Sequence, residues 1–441
     1  MKDVVVERVQ ELLSNYLLVD VVPIIVDLDK SYGNRLVDAR DGREWLDCFS
    51  YIASNAIGFN HPKMFDTAFE TQLLRAARAK PANSDFYTED MARFVSTFVR
   101  VAVPKELQHL FFIEGGALAV ENGMKTAFDW KVRKNLARGA KREIGSKILH
   151  FQQAFHGRSG YTLSVTNTAD PRKIKYFPKF DWPRVPNPKV SFPLTPANLS
   201  AVEEAERVSI KAIEEAFDQN PDDIAAILIE PIQGEGGDNH FRNEFHQNLR
   251  RIADEREALL IYDEVQTGLG LTGKMWAYEH YGITPDIVCF GKKMQVCGCM
   301  VGNRIDEVKD NVFEEPSRIN STWGGNLTDM VRAGRILEII EEDSLVQNAA
   351  DVGAYFFEQL QGLIDGHPDT LSNVRGKGLF LAFDLRSTEQ RDLFFKECFL
   401  NGLLVLKASL NTIRLRPSLT FSKQEVDEAM QIFAKVADRV K

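Results

Sequence analysis

Nowhere does this chain run for the ~20 uncharged residues that a membrane-crossing helix requires. Its apolar first thirty residues are broken by Asp3, Glu7, Glu11, Asp20 and Asp27. They also lack the basic start, apolar middle and small-residue cleavage site of a secretory leader, so a cytoplasmic protein with no membrane partner is expected. An excess of positive charge is missing too. Lys and Arg number 54 against 63 Asp and Glu, a net charge of −9, and no dense basic block interrupts that balance. Nucleic acid, which needs a basic field, is excluded as a partner, although a few local arginines could still hold small anions. Cysteine is scarce. Cys48, Cys289, Cys297, Cys299 and Cys398 make no disulfide framework for 441 residues. Cys297 and Cys299 suggest a metal, but no paired Cys or His supplies the other ligands of tetrahedral zinc, so small buried cysteines are the favoured reading and no metal is expected. Internal repeats and low-complexity tracts are also lacking.

What is present is length enough for two or three domains, or a large α/β domain with a smaller one attached. Ala225–Glu230, Ala258–Asp263 and Pro285–Phe290 read as buried strands, and Glu244–Arg256 as a helix. Continuous apolar strands alternating with helices predict a mostly parallel sheet covered on both faces. Prolines crowd the stretch 178–196, which reads as an extended excursion over the surface. Beyond about Asp329 helical periodicity dominates, broken by strand-like Gly378–Asp384 and Thr412–Arg416, so a smaller α+β domain is expected past a boundary near 327–332.

Ligands of parallel sheets sit beyond the carboxyl ends of the strands, where Glu230, Asp263 and Lys292 should converge. Lys292 follows Asp263 by 29 residues, about one βαβ repeat, which places the two at neighbouring strand ends. An amine and a carboxylate so arranged suit pyridoxal chemistry, the amine forming a Schiff base and the carboxylate keeping the pyridine nitrogen protonated. A surface lysine and a helix-capping aspartate would look the same in isolation, and spacing does not choose between Lys292 and Lys293. Glu114 to Asn122 follows the apolar run Leu110–Ile113, and glycines opening a helix there would expose amides to an anion. Phe155-His-Gly-Arg158 sets an aromatic ring near a guanidinium that could grip a carboxylate. Glu230 to Gly237 holds two carboxylates in a glycine-rich loop, with Arg414 and Arg416 far downstream. The glycines of these stretches carry neither G-x-G-x-x-G nor G-x-x-x-x-G-K-S/T, which argues against a nucleotide-binding protein without turnover.

Six stretches in one order resemble a known family. They are Glu-Gly-Gly-Ala (114–117), Phe-His-Gly-Arg (155–158), Glu-Pro-Ile-Gln-Gly-Glu-Gly-Gly (230–237), Asp-Glu-Val-Gln-Thr-Gly (263–268), Pro-Asp-Ile (285–287) and Gly-Lys-Lys (291–293). From about Tyr32 to its end the chain resembles the class-III aminotransferases, the fold-type-I branch dependent on pyridoxal 5′-phosphate. Phe-Pro-Lys-Phe-Asp-Trp-Pro (177–183), Gln-Val-Cys-Gly (295–298) and Asn-Ser-Thr-Trp-Gly-Gly-Asn (320–326) look most like the branch that acts on the ε-amine of L-lysine.

The resemblance implies an α/β fold with a large cofactor-binding domain over 61–328. It also implies a small domain built from both chain ends, 1–60 and 329–441. Lys292 would be the Schiff-base lysine and Asp263 the pyridine partner. Gln266 would lie at the cofactor O3′, Phe155 on the ring, and Gly116 and Ala117 on the phosphate. Thr322 would reach the phosphate of a neighbouring subunit, which implies a homodimer with shared sites. Arg158 would bind the α-carboxylate of lysine, with Asn320 a polar group of the same pocket. Glu235 would pair with Arg414 while lysine is bound, then swing aside so that Arg414 takes the α-carboxylate of 2-oxoglutarate. The expected products are glutamate and 2-aminoadipate 6-semialdehyde, which cyclises. Met294 departs from the threonine expected of the lysine branch and keeps 4-aminobutyrate and ornithine as alternative donors. The walls near Ile52 and Ala53 are expected to contribute to selectivity.

Overall fold

The apolar runs assemble into one sheet, described here from a computed structural model that covers residues 4–19 and 22–440. Residues 1–3, 20–21 and 441, which include the outer limits of the 1–60 and 329–441 spans, lie outside the described residues. Seven strands form the sheet: β1 (His109–Ile113), β2 (Lys147–Phe151), β3 (Arg184–Val185), β4 (Ile224–Ile229), β5 (Leu259–Asp263), β6 (Ile287–Phe290) and β7 (Cys297–Val301). Their spatial order is β1-β7-β6-β5-β4-β2-β3. All run parallel except β7, which is antiparallel to both its neighbours. Strands β4, β5 and β6 are buried throughout. Alternate side chains serve two cores: Ile227, Ile229, Leu260, Tyr262, Val288 and Phe290 enter one, and Ala226, Leu228, Leu259, Ile261, Ile287 and Cys289 the other. A sheet wet on one face would have needed polar residues at one of the two sets.

Helix α1 (Gly116–Ala137) crosses one face against β4 to β7. It lies so close at Gly123 that a Cβ there would stand 2.8 Å from Cys289 Sγ. The link from β5 to β6 differs from the expected βαβ unit, for it contains only the short 3-10 turn Ala277–His280. Gly268, Gly270 and Gly273 break the chain there at G-x-G-x-x-G spacing. They open no helix, and Gly270 and Gly273 take φ of +87° and +80° against Val346 and Ala350. The proline-rich 178–196 stretch does more than cover the surface, because it contributes β3 to the edge of the sheet with Val185 buried. Strand β7, unmarked in the sequence reading, carries Cys297 and Cys299, both buried and free. Among the described residues no group of three His, Cys, Asp or Glu could hold a metal.

Beyond the sheet, helix Leu327–Glu342 packs on helices Thr67–Ala79 and Glu89–Val101. An antiparallel four-stranded sheet follows, in the order Leu371–Lys377, Phe380–Leu385, Thr412–Leu415, Leu406–Ala408. The strand-like stretch at 378 is the second arm of a hairpin whose first arm the sequence reading missed. Leu403–Leu404 pairs in parallel with Glu44–Asp47, itself antiparallel to Arg35–Val37, so distant parts of the chain share a third small sheet.

Candidate active site

The carboxyl ends of β4, β5 and β6 bring Glu230, Asp263 and Lys292 to one crevice, with Asp263 directly opposite Cys289 across the β5–β6 ladder. Lys292 adopts the left-handed region at φ +51°, a conformation that a side chain bearing Cβ takes only under constraint. Gln295 supplies that constraint: its backbone N–H and side-chain Nε2 both donate to Lys292 O, at 2.8 and 3.1 Å, and Nε2 also donates to Ser54 O at 2.8 Å. Lys292 is half-buried, and its Nζ has no hydrogen-bond or ion-pair partner among the described residues. Burial lowers its amine to about 8; Arg414 and Arg416 push the same way, and Asp263 and Glu230 oppose them. Lys293 is 1% exposed, and burial, then Arg416 and Lys292, hold it far below the usual lysine range. Of the two lysines, Lys292 is the one that feels the carboxylates of the crevice.

Asp263 is buried with Oδ2 2.8 Å from His156 Nδ1, while its Oδ1 accepts from Val265 N at 3.1 Å. Phe155 N donates to Glu230 Oε1 at 2.8 Å, so two strand-end carboxylates hold the 155–158 turn. Burial foremost, then Asp263, raises Glu230 to about 7. At Gly157 φ is +121°, and a Cβ would meet Ala117 Cβ at 2.5 Å, so only glycine lets this turn lie on the start of α1. The chain enters α1 through Gly115 at φ +92°, with no side chain capping the first turn, which leaves its amides to an anion. Glu121, one turn on, accepts from Ser159 Oγ and Tyr161 N at 2.8 and 2.7 Å and secures the far side of the loop. Gly116, Ala117, Phe155 and Asp263 are therefore gathered as the sequence predicts. Arg158 is exposed and has no side-chain partner among the described residues.

Two buried arginines form the opposite wall. Gln266 Oε1 accepts from Arg414 Nη1 at 3.0 Å and from Arg416 Nε and Nη2 at 3.3 and 3.2 Å. Arg416 also binds Asp238 and lies over the Phe380 ring, 3.3 Å from its centroid. Glu235 and Arg414 are not joined here: Glu235 Oε1 accepts from Thr168 Oγ1 and Lys173 Nζ, each at 2.7 Å. Asn320 and Thr322 stand apart from the other site residues in an exposed segment. Asn320 Oδ1 accepts from Ser321 N at 2.8 Å, and Thr322 O accepts from Ser84 Oγ at 2.8 Å.

Several members of this site escaped the sequence reading. His156 lay inside a quoted motif but had no role until its ring met Asp263. Asp238, Thr168 and Lys173 carried no local signal, and Gln295 stood in a motif that gave it no role. Ile52 and Ala53 were expected as walls, but nothing local marked the strain of the turn Ser50–Ala53, whose φ values of 41°, 52°, 57° and 64° make a left-handed coil beside Arg416. Asp47 Oδ1 anchors that coil by accepting from Phe49 N and Ser50 N at 2.8 Å, and Ser50 Oγ donates to Arg416 O at 2.5 Å.

These residues fit pyridoxal 5′-phosphate. An unpartnered amine with a lowered pKa suits its aldehyde, and a carboxylate locked on an imidazole suits its ring nitrogen. A half-buried phenyl ring suits its face, and the uncapped helix start suits its phosphate.

Comparison with known proteins agrees with that chemistry. The family profile described as aminotransferase class-III matches residues 16–437. The L-lysine-epsilon aminotransferase of Mycobacterium tuberculosis is 51% identical over 425 residues, 96% of this chain and 94% of that one. A solved structure of the lysine aminotransferase from M. tuberculosis superposes with a TM-score of 0.97 at 49% identity, covering 99% of this chain and 100% of the other. The 4-aminobutyrate aminotransferase of Saccharomyces cerevisiae is more distant, 34% identical over 430 residues, 93% of this chain and 89% of that one.

Proposed function

The chain belongs to the class-III aminotransferases, enzymes that use pyridoxal 5′-phosphate on small-molecule substrates, and on that premise we propose that it transfers the ε-amino group of L-lysine to 2-oxoglutarate. The observation that carries this reading is the identity of 51% to a lysine enzyme, against 34% to a 4-aminobutyrate enzyme, over nearly the whole chain. Met294, the residue that leans toward 4-aminobutyrate, is 1% exposed and packs in the main core, which weakens it as a clue to substrate. The products would be L-glutamate and 2-aminoadipate 6-semialdehyde, which closes to the six-membered imine 1-piperideine-6-carboxylate.

The cofactor supplies an aldehyde for the amine and a ring that draws electrons from the carbon–hydrogen bond to be broken. Lys292 Nζ, with its pKa lowered to about 8, would hold the cofactor and move the proton at the substrate carbon. Asp263, its carboxylate directed by His156, would hold the proton on the ring nitrogen. Phe155 would cover the ring, Gly116 and Ala117 would hold the phosphate through backbone amides, and Gln266 would serve O3′. Arg158 binds the α-carboxylate of lysine, with Asn320 beside it, which leaves the ε-amine at the reacting centre. Glu235 neutralises Arg414 for the monocarboxylate donor and releases it for the dicarboxylate acceptor.

The working unit is a homodimer, with Thr322 reaching the phosphate of the second subunit. Support comes from large apolar side chains left exposed on one copy, among them Phe86 (72%), Tyr87 (87%) and Tyr176 (91%). Residues 61–328 form the large domain, and 1–60 with 329–441 the small one, a division supported by the pairing of Leu403–Leu404 with Glu44–Asp47. A cytoplasmic location is supported by five free, buried cysteines. Among the described residues no helix is long and apolar enough to cross a membrane.

The test is a parallel assay of L-lysine, 4-aminobutyrate and L-ornithine, each with 2-oxoglutarate, following glutamate and cyclic imine together. Glutamate and the six-membered imine from lysine alone are expected. Turnover of 4-aminobutyrate or ornithine with lysine inert would overturn the substrate and leave the family.

A further inference from the structure

Among the buried polar atoms that have no hydrogen-bond partner, two sit on the two residues that the proposed function couples. They are Glu235 Oε2 and Arg414 Nε. Another atom of each side chain is engaged elsewhere. Glu235 Oε1 accepts from Thr168 Oγ1 and Lys173 Nζ, each at 2.7 Å, and Arg414 Nη1 donates to Gln266 Oε1 at 3.0 Å. The carboxylate thus has a second seat, made by residues that the acceptor need not touch.

That seat is built into the loop after Thr166. Asp170 caps the short turn Pro171–Lys173 by accepting from Arg172 N at 3.1 Å, and its own N–H donates to Thr168 Oγ1 at 3.2 Å. Thr168 and Lys173 therefore come from one short turn and converge on one oxygen. The Lys173–Glu235 pair is partly buried, with side chains 35% and 17% exposed, so solvent screens it only in part.

We propose that Lys173 and Thr168 are positioning residues that hold Glu235 away from Arg414, and so set how readily the enzyme accepts a dicarboxylate oxoacid. The inference rests on the reading of Glu235 and Arg414 as the charge switch. While Glu235 occupies this seat, Arg414 is free for a substrate carboxylate. Without the seat, Glu235 would turn to Arg414, whose guanidinium already feels its charge, and the acceptor would have to displace it. The amine donor, for which Glu235 neutralises Arg414, should meet no such competition.

In ping-pong kinetics kcat/KM for each substrate reports its own half-reaction, so the two effects separate. The variants are Lys173→Met, Thr168→Val and Lys173→Arg in the cofactor-loaded enzyme. A hydrogen bond or partly exposed ion pair to a carboxylate contributes on the order of 1 kcal/mol, a factor of about five. Lys173→Met and Thr168→Val should each lower kcat/KM for 2-oxoglutarate about fivefold, through KM, and leave kcat/KM for lysine unchanged or raised. Lys173→Arg should restore it. Glutarate, a dicarboxylate with no reacting group, should bind about fivefold more weakly to the same two variants, read from the cofactor absorbance. Equal losses for both substrates, or unchanged affinity for glutarate, would overturn the proposal. The glutarate titration needs no amine donor, so it judges this inference even if lysine proves not to be the substrate.

Discussion

Replacing Asp238 by Asn should uncover the charge stored behind the active site. Arg416 is fully buried and Asp238 is 1% exposed, with Nη2 and Oδ1 2.5 Å apart. The other groups acting on Arg416 are cationic: Arg414 and Arg375 both push its pKa down, after burial, to about 10. Asp238 supplies the opposing charge. Removing one partner of a buried pair costs about 3–5 kcal/mol, because the other charge is left uncompensated. Asn retains an acceptor oxygen, so the lower end, about 3 kcal/mol, applies. With an unfolding entropy of about 2.1 cal/mol/K per residue, 441 residues give about 0.9 kcal/mol/K, and the Tm should fall by about 3 °C at pH 7. Scanning calorimetry of both proteins at pH 7 decides it. A Tm within 1 °C of wild type would refute the reasoning.

Three further outcomes are expected. Asp47 is raised to about 6 by burial, against an ordinary 3.8, so the folded protein keeps its proton longer and its contribution is lost as pH rises through 6. Asp47→Asn keeps the acceptor for Phe49 N and Ser50 N, and should flatten the stability curve between pH 4 and 6 in urea titrations. Lys293 is buried with no ion pair among the described residues, so Lys293→Met should leave the Tm unchanged or raise it by 1–3 °C, on the order of 1–3 kcal/mol. A Tm lowered by more than 1 °C in scanning calorimetry would contradict that reading. Lys292→Ala should abolish lysine turnover and the borohydride-fixed cofactor label together; near wild-type turnover would displace Lys292 from its role.

The sequence by itself determined the parts whose signal is local. Buried strands were legible because every residue of β4, β5 and β6 is apolar up to a terminal polar group, and ligands gather past such ends. That logic placed Glu230, Asp263 and Lys292 together, and the glycines marked the positive-φ entry to a helix at 115 and a close approach at 157. Tertiary structure decided what depends on partners remote in the chain. Strand β7 runs antiparallel between two parallel strands because pairing is settled by neighbours that a five-residue run does not name. Lys292 and Lys293 have the same side chain in sequence and differ only in the charges that fold around them. His156 reaches across 107 positions to Asp263, and Arg416 across 178 to Asp238. Glu235 turned to Thr168 and Lys173 rather than Arg414 because a capped loop brought two donors to its oxygen. Periodicity and turn chemistry act over a few residues and can be read along the chain, whereas the balance of buried charge acts through space and exists only once the chain has folded.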